Sequence, residues 1–111
     1  MLVHPAAYVS PSATLESGTV VFAQAAVNAD ARAGIACIIN TGATIDHDCR
    51  LGDGVHVSPG VHLGGGVMVG NLSWIGIGAA VKHQVKLGER VTVGAGAAVV
   101  NDINDGQTVV G

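Results

Sequence analysis

The sequence predicts an all-β solenoid of stacked three-sided coils, and three observations carry that expectation. Aliphatic residues recur every six positions in one unbroken phase: Val3, Val9, Leu15, Val21, Val27, Ala33, Ile39, Ile45, Leu51, Val57, Leu63, Val69, Ile75, Val81, Leu87, Val93 and Val99. Sixteen of these seventeen are Val, Leu or Ile, with Ala33 the exception, and no residue is inserted or lost along the run. The fifth position of each hexad is small or β-branched, from Ala7 and Ala13 through Cys37, Ala43 and Cys49 to Ala97 and Ile103. The second position is often Gly, as at Gly34, Gly52, Gly64, Gly70, Gly76, Gly88 and Gly94.

A period of six is neither the 3.6 of a helix nor the 2 of a plain strand. It suits a short flat strand followed by a sharp turn. The aliphatic residue points inward, the small residue fits a corner, and the glycine is expected to supply turn dihedrals that a Cβ would disfavour. Three hexads close one coil of 18 residues, and successive coils stack at the parallel-strand spacing of about 4.8 Å. Seventeen hexads give five to six coils in a single domain spanning residues 1–111.

Composition excludes several classes. The chain is 49% apolar and 12% charged, which opposes intrinsic disorder. Aromatic residues are 3%, so core volume must come from Val, Ile, Leu and Ala. No apolar run is long enough to span a bilayer. The opening MLVHPAAYVS has neither the basic nor the apolar region of a signal peptide. Net charge is −3 with only five Lys and Arg, which leaves no basic footprint for nucleic acid. Cys37 and Cys49 make no disulfide framework and stand 12 residues apart, outside a common column. A reducing, cytoplasmic location is the default. The mean hydropathy of +0.50 predicts apolar surface buried between subunits.

A coil of 18 residues lets positions be compared down each face. His47, Gly65, His83 and Asn101 fall in one column, and Ile38, His56, Trp74 and Thr92 in another. Gly65 therefore lies one coil above His47, leaving a gap over the imidazole with a backbone N–H beside it. Trp74 stacks on His56, where it packs between subunits or meets a ligand. His62 and His83 read as ordinary surface residues, and Lys82, Lys86 and Arg90 as solvated charges or contacts for phosphates. The tail NDINDGQTVVG leaves the phase at Asp105 and is expected to cap the solenoid.

The run Ile39-Asn40-Thr41-Gly42-Ala43-Thr44-Ile45-Asp46-His47-Asp48-Cys49 is the most informative stretch. With Gly54–Gly60, Gly64–Val67 and Trp74–Ala79, it resembles the hexapeptide-repeat acetyltransferases of bacteria, which acetylate amino sugars and sialic acids. The resemblance covers Val3 to about Asn104. It implies a left-handed parallel β-helix, a hand that periodicity alone does not give. It also implies a homotrimer with active sites at subunit boundaries, using acetyl-CoA and a sugar or nucleotide-sugar acceptor.

Site residues follow from the same resemblance. His47 matches the family's general base, and a near-neutral pKa suits an imidazole to that task. Asp48 matches the adjacent acid that orients it. Gly65 offers its N–H to the developing oxyanion and to the cofactor. His56, Ile77 and Ala95 match cofactor-contacting positions. The family commonly has Gly where Ala95 stands. Asn40 is a candidate for contact with the substrate or the imidazole, its plain alternative being an amide ladder within the coil. The start at Leu2-Val3-His4-Pro5 resembles the family's inter-domain junction, so the nucleotide-sugar-binding N-terminal domain is expected to be absent from this chain. A catalytically silent or engineered trimeric scaffold is the competing reading. A zinc site like that of γ-type carbonic anhydrases is a third, with His47 and His83 in one column. A third ligand would be expected near position 88, which is Gly88, and two imidazoles are too few for catalytic zinc.

Overall fold

The computed structural model describes residues 1–111 as short strands linked by tight turns, with no helix. Eighteen two-residue strands lie in three parallel sheets. Sheet I holds seven, from Leu2–Val3 through Ile38–Ile39, His56–Val57 and Trp74–Ile75 to Thr108–Val109. Sheet II holds six, from Tyr8–Val9 through Thr44–Ile45 and His62–Leu63 to Ala98–Val99. Sheet III holds five, from Thr14–Leu15 through Arg50–Leu51 to Lys86–Leu87. The chain visits the sheets in turn, so each residue pairs with the one 18 positions away: Thr44 with His62, His56 with Trp74, Val57 with Ile75. The resulting prism measures 33 × 20 × 20 Å.

The second residue of each strand points inward, as the hexad phase requires. From Val21 to Val99 every such residue is buried, and with the corner residues they form one continuous apolar column. Val3 is exposed, and Val9 and Leu15 are half-buried, so the first coil is the least covered. The first residue of each strand points outward and gives each sheet its character. Sheet I presents Leu2, Val20, Ile38, His56 and Trp74; sheet III presents Arg32, Arg50, Met68 and Lys86.

Two expectations require correction. The glycines at 34, 52, 64, 70, 76, 88 and 94 do not carry the turn dihedrals, since none has positive φ. They stand where coils approach most closely: a Cβ on Gly64 would lie 2.6 Å from the backbone N of His83, and one on Gly76 would lie 2.7 Å from that of Ala95. Left-handed backbone instead falls on the second turn residue, at Gly42, Gly54, Gly66 and Gly78 but also at Gln24, Asp30, Asp48 and Leu72. That conformation turns the N–H toward the coil before, as when Gly66 N–H donates to His47 O at 2.9 Å. The phase also slips earlier than Asp105. Ile103 bridges Leu87, and Thr108 pairs with Thr92, both 16 residues away instead of 18. Two residues are lost at the corner after Val99, so Asn101 leaves the His47 column. Beyond the slip the tail rejoins sheet I.

Candidate active site

His47 and Asp48 are the two turn residues at the corner between sheets II and III. Asp46, at the end of the preceding strand, forms the turn: its carboxylate accepts the His47 N–H at 2.8 Å and the Asn28 side-chain amide at 3.2 Å. Such a bond from an Asp to its own turn competes with continued extension of the strand. The His47 N–H and then Asn28 hold the Asp46 carboxyl below its ordinary pKa, so it is a fixed negative charge. Asp48 follows with φ of 61°, which Asp tolerates better than most residues. Its Oδ2 lies 3.1 Å from His47 Nδ1. Both side chains are open to solvent. The Asp48 bond, then the charge of Asp46, raises the His47 pKa.

Gly65 sits over the ring as the column arithmetic requires. A Cβ there would lie 2.5 Å from His47 Nε2 and 2.6 Å from Cε1. Any side chain at this position would displace the imidazole. Gly65 N–H has no partner within the chain. A groove of about 640 Å³ runs from here across sheet II, lined by His47, Gly65, His62, Lys82, His83 and Gln84. His62 is tied into it by a 2.6 Å bond between its Nδ1 and Thr44 Oγ1. The plain surface reading of His62 and His83 thus missed that both border the same groove as His47. No group of three or more His, Cys, Asp or Glu side chains is arranged to hold a metal.

The other candidates lie elsewhere. Ile77 and Ala95 occupy successive coils at the corner between sheets I and II. Both are exposed, and their N–H groups have no intramolecular partner. The corner between sheets III and I is different: Asp53, Asn71 and Asp105 side-chain oxygens accept the N–H groups of Ile35, Asp53 and Glu89, each at 2.8 Å. His56 stands on sheet I with its ring edge-on to Trp74, centroids 3.9 Å apart. Its Nε2 is buried with no partner, and burial lowers its pKa. Asn40 does not ladder; its Oδ1 accepts the adjacent Thr41 N–H at 2.8 Å. It lies at the sheet I/II corner, so the whole of sheet II separates it from His47 in one chain.

Neither a protein-family model nor a curated protein sequence matches the chain. Solved structures do. The acetyltransferase domain of PglB from Neisseria gonorrhoeae, in complex with acetyl coenzyme A, is 50% identical at a TM-score of 0.97, over 98% of this chain and 53% of that one. PerB from Caulobacter crescentus, in complex with CoA and GDP-perosamine, is 48% identical at a TM-score of 0.97, over 98% and 53%. The chain belongs to the hexapeptide-repeat acetyltransferase family. It spans about half the length of these relatives. A more distant hexapeptide-type structure, serine acetyltransferase isoform 3 from Entamoeba histolytica, shares the fold alone, at 16% identity and a TM-score of 0.59 over 93% of this chain and 34% of that one.

Within a hexapeptide-repeat corner, Asp46 was the residue that sequence reasoning passed over. Its signal was present: Asp directly before a two-residue turn that ends in left-handed backbone, the pattern Asn40 repeats one corner earlier.

Proposed function

We propose that the chain transfers an acetyl group from acetyl-CoA to the amine of a nucleotide-linked amino sugar. The observation that carries this reading is the close stacking of Gly65 on a His47 imidazole already bonded to Asp48. His47 Nε2 faces the groove and takes the proton that the acceptor nitrogen must lose as it attacks. Asp48 holds the other ring nitrogen and stabilises the cation so formed. Gly65 N–H donates to the carbonyl oxygen on which charge develops, where one donor is worth about 3 kcal/mol. Acetyl-CoA supplies an activated thioester when bound. The unpaired N–H groups of Ile77 and Ala95 and the unpartnered Nε2 of His56 suit its amide-rich arm. The related PglB domain and PerB, crystallised with acetyl-CoA or CoA, support the donor, and PerB with GDP-perosamine supports the acceptor class.

The working unit in this reading is a trimer in a bacterial cytoplasm. His47 lies at one corner, and Asn40, Ile77 and Ala95 at another. A second copy brings them together if the sheet II/III corner of one subunit meets the sheet I/II corner of its neighbour. In a closed threefold ring that meeting turns sheets I and III toward neighbours and leaves sheet II outside. The apolar outer surface of sheet I and the capped N–H groups of the sheet III/I corner favour this arrangement. Two free cysteines favour a reducing compartment.

A thermal-shift titration with acetyl-CoA tests the donor site: at 100 times the dissociation constant, binding adds about 2.7 kcal/mol of stability. His47→Ala should keep that shift and abolish transfer to amino-sugar acceptors. Wild-type turnover in His47→Ala would refute the mechanism, and no shift with acetyl-CoA would return the chain to the silent-scaffold reading.

A further inference from the structure

Four corners of the solenoid share one hydrogen bond, in which a small side chain donates to a carbonyl 15 residues further on. Thr19 Oγ1 reaches Gly34 O at 2.7 Å, Cys37 Sγ reaches Gly52 O at 3.0 Å, and Ser73 Oγ reaches Gly88 O at 2.9 Å. These three stand in one column at the sheet III/I corner. The fourth is Cys49, whose Sγ reaches Gly64 O at 3.1 Å at the corner that carries His47. The rest of that column, Ala13, Ala31, Val67 and Val85, has no donor side chain.

The Gly64 carbonyl and the Gly65 N–H are opposite ends of one planar peptide group. A donor on the oxygen fixes the plane and polarises the amide, which strengthens the N–H at its other end. The other hydrogen bond to this oxygen, from Val67 N–H, is long at 3.4 Å. At the Cys37 corner the corresponding N–H, that of Asp53, is already taken by Asn71 Oδ1. At the Cys49 corner it is free and borders the imidazole.

We infer that Cys49 is a positioning residue for this site: its thiol holds the Gly64–Gly65 peptide so that the Gly65 N–H stays presented beside His47. The inference rests on the proposed acetyl transfer for its catalytic meaning, though not for its geometry. Cys49 is fully buried, and burial pushes its thiol up to about 11, so the proton stays on sulfur at neutral pH.

The test compares Cys49→Ala, Cys49→Ser and Cys37→Ala in the full chain. Alanine fills the equivalent corner at Ala25, Ala31 and Ala43, so both alanine variants should fold. Serine has a precedent in the Ser73 bond. Cys49→Ala should lower kcat by about tenfold with the KM for acetyl-CoA unchanged, a fraction of the ~10²–10³ that loss of an oxyanion donor costs. Cys49→Ser should restore most of it, and Cys37→Ala should leave kcat alone. In glycine-labelled protein, Cys49→Ala should also move the Gly65 amide resonance, with Cys49→Ser returning it toward the wild-type position. Equal losses of kcat in both alanine variants, or an unmoved Gly65 resonance, would overturn the inference. Absence of transfer by the wild type would count against the proposed function, and the resonance would still decide the role of Cys49.

Discussion

Asp48 shows how much chemistry one turn residue can set. Its left-handed backbone places the carboxylate against His47 Nδ1, and that bond favours the imidazolium. Because the folded-state pKa is raised, the pair stabilises the fold fully below the ordinary imidazole value. That contribution fades as pH rises through the raised value. Catalysis has the opposite sign, since the base must be neutral. The acidic limb of kcat/KM should therefore fall above 6.5, the ordinary imidazole pKa. Asp48→Asn removes the largest cause of the shift, so the limb should move to lower pH while kcat drops. A pH–rate profile with the limb unmoved would exclude Asp48 as the partner. This adjacency was legible in the sequence, because His and Asp side by side in a two-residue turn leave few other arrangements. The separation of Asn40 from His47 was legible too: seven residues are one hexad plus one, which is the next corner.

At the scale of the repeating element, two kinds of glycine do different work. Gly70 lies where a Cβ would sit 2.5 Å from the Gly88 carbonyl carbon, whereas Gly42 has open space around it and φ of 68°. A side chain at Gly70 must push coils apart, at a cost of about 1–3 kcal/mol. At Gly42 the cost is backbone strain of about 1–2 kcal/mol, which Asn relieves. Denaturant unfolding should show the crossing: Gly42→Asn milder than Gly42→Ala, and Gly70→Asn harsher than Gly70→Ala. The hexad period located every strand up to Val99 but not the reason for each glycine, because spacing does not distinguish a dihedral requirement from a close approach. The slip after Val99 was hidden for a similar reason. Ile103 is β-branched and apolar, so it satisfied the small-corner phase on paper while filling an inward position in the fold.

Across the whole molecule, the three sheets differ enough to assign their surroundings. Sheet II carries the groove beside His47 and must stay open for an acceptor. Trp74, half exposed on sheet I, is then an anchor against a neighbouring subunit. The aliphatic stems of Arg32, Arg50 and Lys86 on sheet III can cover it. Trp74→Glu should convert the assembly to monomers in sedimentation and remove activity with it, while the β-sheet circular dichroism of the chain persists. An active, fully associated Trp74→Glu protein would overturn the pairing of these sheets.

The strict pairing at 18 residues also governs how such a gene can change length. Loss of one hexad between His47 and Gly65 would keep every strand in hydrophobic phase. It would nevertheless bring Asn71 over the imidazole in place of Gly65. Only whole turns can be gained or lost there without dismantling the active corner. Duplication of 18-residue units, and not gradual indels, is the mutational route by which this scaffold can grow and keep its chemistry.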